Sequence, residues 1–202
     1  MSDTHPPLDF PAYRATRLRV PGRALVRLPY RLTEVRGPLL GEGWVVEGDG
    51  RPVPGALVEV WQANAAGRYR HDGDRHRAPL DPNFSGAGRC VTDSEGRWRF
   101  VTVRPGAYPW RNHANAWRPA HIHFSVLGRA FVQRLITQMY FPGDPLFAFD
   151  PILGSVPEGA RERLVSRLDM DLTMPEWALG YRWDIVLGGR AATPLEDEED
   201  DR

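Results

Sequence analysis

A chain of 202 residues with 42% hydrophobic and 10% aromatic content is long enough to bury one sizeable core and too short for two full domains. Its 26 basic and 26 acidic residues cancel to a formal charge of +0, which excludes a net field drawing it to nucleic acid or to an anionic membrane surface. Cys90 is the only cysteine, which excludes an intrachain disulfide and a cysteine-rich zinc framework. With no secretory pattern at the N-terminus and no apolar run of membrane-spanning length, the expectation is a cytoplasmic protein.

Residues 1–40 are rich in Pro and Arg without a sustained period and read as an extended arm. The character changes at Gly43, where GWVVEGDGRPVPGALVEVW sets two Val-rich runs around a Gly/Pro/Asp turn and predicts strand, turn, strand. Residues 63–87 carry Gly, Asn, Asp, Arg and Pro with no period, the mark of a long surface loop of a kind that is often functional. GRCVTDSEGRWRFVTV returns to alternation and predicts a second hairpin turning at 93–96, with Trp98 and Phe100 on one face. A Pro- and Trp-rich loop over 104–119 leads into two further strand candidates, HIHFSVLG and FVQRLITQMY. Residues 158–168 hold the clearest helical spacing, with Leu164 and Leu168 four apart, and YRWDIVLGG reads as a closing strand. The acidic run 196–201 reads as a solvated tail. Together these elements predict an all-β fold, an antiparallel β-sandwich with long loops and one or two short helices. The expected division is an arm over 1–40, the sandwich over 41–190 and a disordered acidic tail over 191–202. A binding module would satisfy the pattern up to this point.

The loops and one strand carry the chemistry. His121-Ile122-His123 lies in an apolar run of β character, so period-two alternation sends both imidazoles to the same face, where they can grip one metal. The pair is also compatible with ordinary hydrogen-bonded histidines of a core or surface. A histidine-rich ferrous site normally adds a carboxylate, and FSVLGRAFVQR, following the pair, contains none. Tyrosine offers another donor: Tyr69 sits in the long polar loop and Tyr108 in PGAYPWRN upstream of the histidines. A phenol with its ordinary pKa of about 10 becomes a good ligand only for a strongly charged cation, and ferric iron is one. Each tyrosine taken alone is also compatible with a packing role and a hydrogen-bonded hydroxyl.

At these residues the chain resembles the intradiol ring-cleavage dioxygenases. The likeness runs from about Gly43 to Gly189 through PVPGALVEVWQANAAGRYRH, APLDPNFSGAGRCVTD, PGAYPWRN, WRPAHIHFSV and RLITQMYFPGDP. It implies a ferric ion (Fe3+) held by Tyr69, Tyr108, His121 and His123, with Tyr108 as the axial tyrosinate that leaves when a catechol dianion binds and Tyr69 as the one that stays. It further implies Arg118 as the fixed cation beside the bound ring, Gln138 as a residue near the histidines and substrate, and Tyr13 and Trp61 as pocket-lining residues. Trp110 and Tyr140 match neighbours that position the mobile tyrosinate. The implied activity is oxidative opening of a catechol-type ring by dioxygen, with the iron activating the substrate. The nearest match is to members acting on protocatechuate (3,4-dihydroxybenzoate), whose product is 3-carboxy-cis,cis-muconate, in aromatic catabolism through β-ketoadipate.

One departure is the short segment after Pro38, where the family's corresponding chains are longer, a difference that bears on subunit contacts and the pocket rim. The resemblance also implies an α-type partner chain in a hetero-oligomer, supplying a cationic contact for a substrate carboxylate. The alternatives are a homo-oligomeric relative acting on another substituted catechol and a noncatalytic β-sandwich subunit. His5, His71, His76 and His113 are left unassigned.

Overall fold

Alternating apolar side chains need a second apolar layer to cover them, and two sheets supply it to each other. The computed structural model describes residues 38–112, 116–128 and 134–196. Its strands are β1 (Pro38–Val46), β2 (Leu57–Trp61), β3 (Ala87–Val91), β4 (Arg97–Val103), β5 (Tyr108–Pro109), β6 (Trp117–Arg118), β7 (His121–Leu127), β8 (Arg134–Tyr140), β9 (Arg167–Leu168), β10 (Leu179–Arg182) and β11 (Ile185–Val186). One sheet runs β3-β2-β7-β8 and is antiparallel throughout. The other is built on β1, which pairs antiparallel with β4 and parallel with β10 and then β11, while β9 flanks β10. Between them Phe124 packs edge-on against Trp98 and Trp183, with ring centroids 5.3 and 4.9 Å apart, and Trp98 stacks on Phe100. The strands approach so closely here that a Cβ at Gly43 would fall 1.6 Å from the Trp183 carbonyl oxygen.

The β-sandwich expectation holds, with two corrections inside it. The predicted hairpins pair with themselves only at their turns, where Val46 bridges Pro52 and Asp93 N donates to Arg97 O, and beyond the turns β1 and β2 lie in different sheets, as do β3 and β4. Both turns carry the chain across the sandwich, and Thr92 ties the two crossings together, its Oγ1 accepting from Ala56 N at 2.8 Å and donating to Val53 O at 2.7 Å. Turn chemistry tells where the chain reverses, whereas the receiving sheet is decided by which apolar face must be covered. The helix over 158–168 is also shorter than its spacing suggests. A helix α2 (Glu158–Arg161) passes into a 3-10 turn at Glu162–Leu164. Ser166 is then drawn onto the sheet, its backbone N and its Oγ both donating to Tyr140 O, so that Leu168 falls on β9 and is half exposed. Ahead of α2 lies one further short helix, α1 (Pro151–Ser155), capped by Asp150.

Both expected boundaries shift. Residues 38–40, assigned to the arm, already belong to β1, so the strand begins ahead of Gly43 and includes the short segment after Pro38. At the other end, residues 191–196 are not a disordered tail. Thr193 N donates to Val186 O, Pro194 O accepts from Thr137 Oγ1, and Glu196 N donates to Ile136 O at 2.8 Å. The remainder of the acidic run and nearly all of the arm lie outside the described residues. Among the described residues, no helix is long and apolar enough to cross a membrane.

Candidate metal centre

The centre begins with the register of β7. This strand is flanked on both sides, Trp61 of β2 facing His123, and Tyr140 and Gln138 of β8 facing His121 and His123. Alternation places the two histidines on one face, both buried. Cross-strand pairing also stacks Trp61 flat on His123, with centroids 4.9 Å apart and planes 7° apart. Each ring has its Nδ1 committed. A carbonyl can only accept, so the 2.7 Å contact with Pro119 O puts the proton on His121 Nδ1. The Glu196 carboxylate accepts from His123 Nδ1 at 3.3 Å. The two Nε2 atoms lie 3.2 Å apart.

Tyr69 arrives on an irregular segment, as the sequence predicts, whereas Tyr108 falls on the two-residue strand β5, paired with β6. The loop from β2 to β3 is organised by Asn64, whose Oδ1 accepts from Ala66 N and Arg68 N and whose Nδ2 donates to Pro79 O. Tyr69 is held by its backbone N, which donates to Asp74 Oδ2 at 2.7 Å. This loop meets the segment before Tyr108 backbone to backbone: Gly106 N donates to Asn64 O, and a Cβ on Gly67 (φ +78°) would lie 2.0 Å from Ala107 O. Only glycine allows that conformation and that approach. The Tyr69 and Tyr108 rings consequently meet edge to face at 5.1 Å, and the Tyr108 hydroxyl lies 3.2 Å from His121 Nε2.

Arg118, on β6 opposite Tyr108, binds the centre together. Its side chain is buried, and Asp150 accepts from it with both carboxylate oxygens, at 3.2 and 3.1 Å. Its remaining donors reach Tyr108 OH at 3.3 Å, His121 Nε2 at 3.1 Å, Tyr140 OH at 2.9 Å and Gln138 Oε1. Burial opposes the guanidinium charge, but the neighbouring oxygens of Tyr108, Tyr140 and Asp150 outweigh it and raise its pKa. Burial pushes the Tyr108 phenol up while Arg118 pulls it down, and the net shift is upward. Burial, with Arg118 and His123 adding to it, holds His121 well below the usual histidine range, so its imidazole is neutral.

The two Nε2 atoms, 3.2 Å apart, and the Tyr108 hydroxyl, 3.2 Å from His121 Nε2, form a close cluster of donor atoms. Bonds of about 2.0–2.1 Å, typical of imidazole on zinc, would put two nitrogens that far apart at an angle somewhat above 90°. The pair therefore fits a single metal ion. Among the described residues no group of three His, Cys, Asp or Glu side chains is placed to hold one, and the donors beside the pair are the phenols of Tyr108 and Tyr69. Such hard oxygen donors, anionic once deprotonated, suit a trivalent cation.

The expected residues Tyr69, Tyr108, Arg118, His121, His123, Gln138, Tyr140 and Trp61 thus gather at one place. Trp61 is stacked on His123, and Tyr140 reaches Tyr108 through Arg118. Trp110 carries the Arg111 guanidinium over its ring at 4.5 Å. Tyr13 lies outside the described residues. Of the unassigned histidines, His76 packs edge-on against Trp117, His71 is exposed, and His5 and His113 are outside the described residues. Sequence reasoning missed Asp150 and Glu196. Asp150 is announced only by the Asp-Pro of a helix start, and Glu196 is indistinguishable from the acids that follow it.

Residues 11–189 match the Dioxygenase_C family model, described as dioxygenase. The chain belongs to this family, the intradiol dioxygenases, enzymes that use non-haem iron. Among its relatives, it is 54% identical to the protocatechuate 3,4-dioxygenase beta chain of Burkholderia cepacia, over 96% of this chain and 94% of that one. It is 31% identical to the protocatechuate 3,4-dioxygenase alpha chain of the same organism, over 77% of this chain and 74% of that one. Among solved structures, the 3-chlorocatechol 1,2-dioxygenase of Rhodococcus opacus 1CP superimposes with a TM-score of 0.58 at 27% identity, covering 75% of this chain and 60% of that one.

Proposed function

We propose that this chain is the iron-bearing chain of a protocatechuate 3,4-dioxygenase, with Tyr69, Tyr108, His121 and His123 as the ligands of one ferric ion. The observation that carries the reading is the convergence of two imidazole Nε2 atoms, 3.2 Å apart, with two phenols beside them. Ferric iron bound there would draw electron density from a catechol held through both oxygens and make its ring reactive toward dioxygen. The protein's own part is to place and charge that ring. Tyr108 sits on a two-residue strand, with its hydroxyl on Arg118 Nη1. A Tyr108 phenolate would keep Arg118 as a cationic partner and could take a substrate proton. Arg118 is locked by Asp150 and cannot turn away, so its charge stays fixed where negative charge develops during oxygen attack. Gln138 accepts from Arg118 and from Tyr140 OH, which fixes the donors that border the centre. Trp61 and Tyr13 would line the pocket, and the product would be 3-carboxy-cis,cis-muconate.

The protocatechuate preference is supported by the 54% identity to the Burkholderia beta chain. That the Burkholderia enzyme has chains named alpha and beta supports an α-type partner here. The arm, the sandwich and the C-terminal segment would then act as one chain of a cytoplasmic hetero-oligomer in aromatic catabolism. The test is oxygen consumption and product identification with protocatechuate, catechol and hydroxyquinol, for the chain alone and with an α-type chain. Ring opening of protocatechuate that requires the second chain is expected. Full activity of the chain alone would remove the heteromer, and preference for another catechol would remove the substrate assignment.

A further inference from the structure

The C-terminal segment does more than close the sheet. Thr193 exchanges two hydrogen bonds with Val186 of β11, while Pro194 O accepts from Thr137 and Glu196 N donates to Ile136 O, which lays residues 194–196 along β8. The last of these carries its side chain inward. The Glu196 side chain is 6% exposed, Oε2 accepts from His123 Nδ1 at 3.3 Å, and Oε1 accepts from Gln138 Nε2. His123 and Gln138 are direct cross-strand partners of β7 and β8, so one carboxylate spans both.

We propose that Glu196 is a positioning residue of the centre, acting through His123. Its carboxylate holds the proton on Nδ1, aims Nε2 at the space between His121 and the tyrosines, and makes the imidazole a stronger donor. It also closes the charge balance. The Arg118 charge is matched by Asp150, so Glu196 and two phenolates supply three negative charges against a trivalent ion, which favours the ferric over the ferrous state. The acidic run at the C-terminus therefore contributes its first residue to the active centre.

This inference rests on the iron-site reading above, and its test separates the two. Iron content, chelator resistance, the tyrosinate-to-iron absorption band and the ferric/ferrous midpoint potential are measured for the wild-type chain and for Glu196→Gln, Glu196→Asp and Glu196→Ala. Thermal unfolding of each iron-free form checks the fold. The expected result is that Glu196→Ala binds iron about 10- to 100-fold more weakly, the range for lost outer partners of metal-ligating histidines. Its absorption band shifts and its potential rises. Glu196→Gln, which keeps an acceptor without the charge, recovers most of the affinity but not the potential, and Glu196→Asp recovers part of both. Coloured wild-type protein whose variants all match it in affinity, band and potential would overturn the role of Glu196. A wild-type chain that binds no iron would overturn the site itself.

Discussion

The two halves of the centre are mounted differently. His121 and His123 stand on β7, hydrogen-bonded to a strand on each side, and their register with Trp61, Gln138 and Tyr140 is set by the sheet. Tyr69 stands on a loop and Tyr108 on the two-residue β5 at the end of another, and their placement depends on Asn64, on Asp74 and on one glycine-to-glycine crossing. The strand half is preorganised by the same ladder that builds the core. On the proposed reading the tyrosine half supplies the ligand that moves, and Arg118 joins the two by contacting both Tyr108 and His121.

This contrast can be broken at its strand side first. His121→Ala or His123→Ala removes a ligand without disturbing the backbone ladder. Metal analysis and oxygen uptake should find iron affinity reduced by more than about 100-fold, beyond the usual effect of an outer partner, and turnover abolished, in a protein that still folds. The joint between the halves comes next. Asp150→Ala leaves the Arg118 guanidinium buried without its carboxylate, a loss of about 3–5 kcal/mol, to be read from denaturant unfolding of the iron-free chain. Restraint of the loop half is sharpened by Gly67→Ala. Forcing a side chain into that positive φ and against Ala107 O should cost about 1–3 kcal/mol and displace the tyrosines. The absorption band should then weaken more than the iron content falls, because the histidines stay in place.

The smallest effect is expected far from both halves. The Arg182 hydrogen bond lowers the Asp169 pKa from 3.8. A lowered folded-state value means stability that is present above the unfolded pKa and lost as pH falls through the folded one. Asp169→Asn should therefore lower Tm slightly at neutral pH, with the gap to wild type closing below pH 3.8 and the absorption band unchanged.

The same division governs what could be read from residues alone. The strand half was legible because period two puts His121 and His123 on one face whatever the sheet order. The tyrosines were legible only through resemblance, since a loop has no period and a lone tyrosine looks like packing. Sheet assignment was not legible: the turns at 47–56 and 92–96 have hairpin chemistry, but covering the two apolar faces sends their strands to opposite sheets. The helical spacing of Leu164 and Leu168 was overridden by the bonds of Ser166 to Tyr140. Asp150 and Glu196 were hidden because their roles depend on contacts 32 and 73 positions away in the chain.

The most direct test of the central claim is the visible absorption spectrum of the purified, iron-loaded chain, with its α-type partner where one is required, before and after anaerobic protocatechuate and then with oxygen admitted. Two tyrosinates on ferric iron predict a broad charge-transfer band that shifts with substrate and decays as the ring-opened product forms. A colourless protein containing verified ferric iron would contradict the site built from Tyr69, Tyr108, His121 and His123.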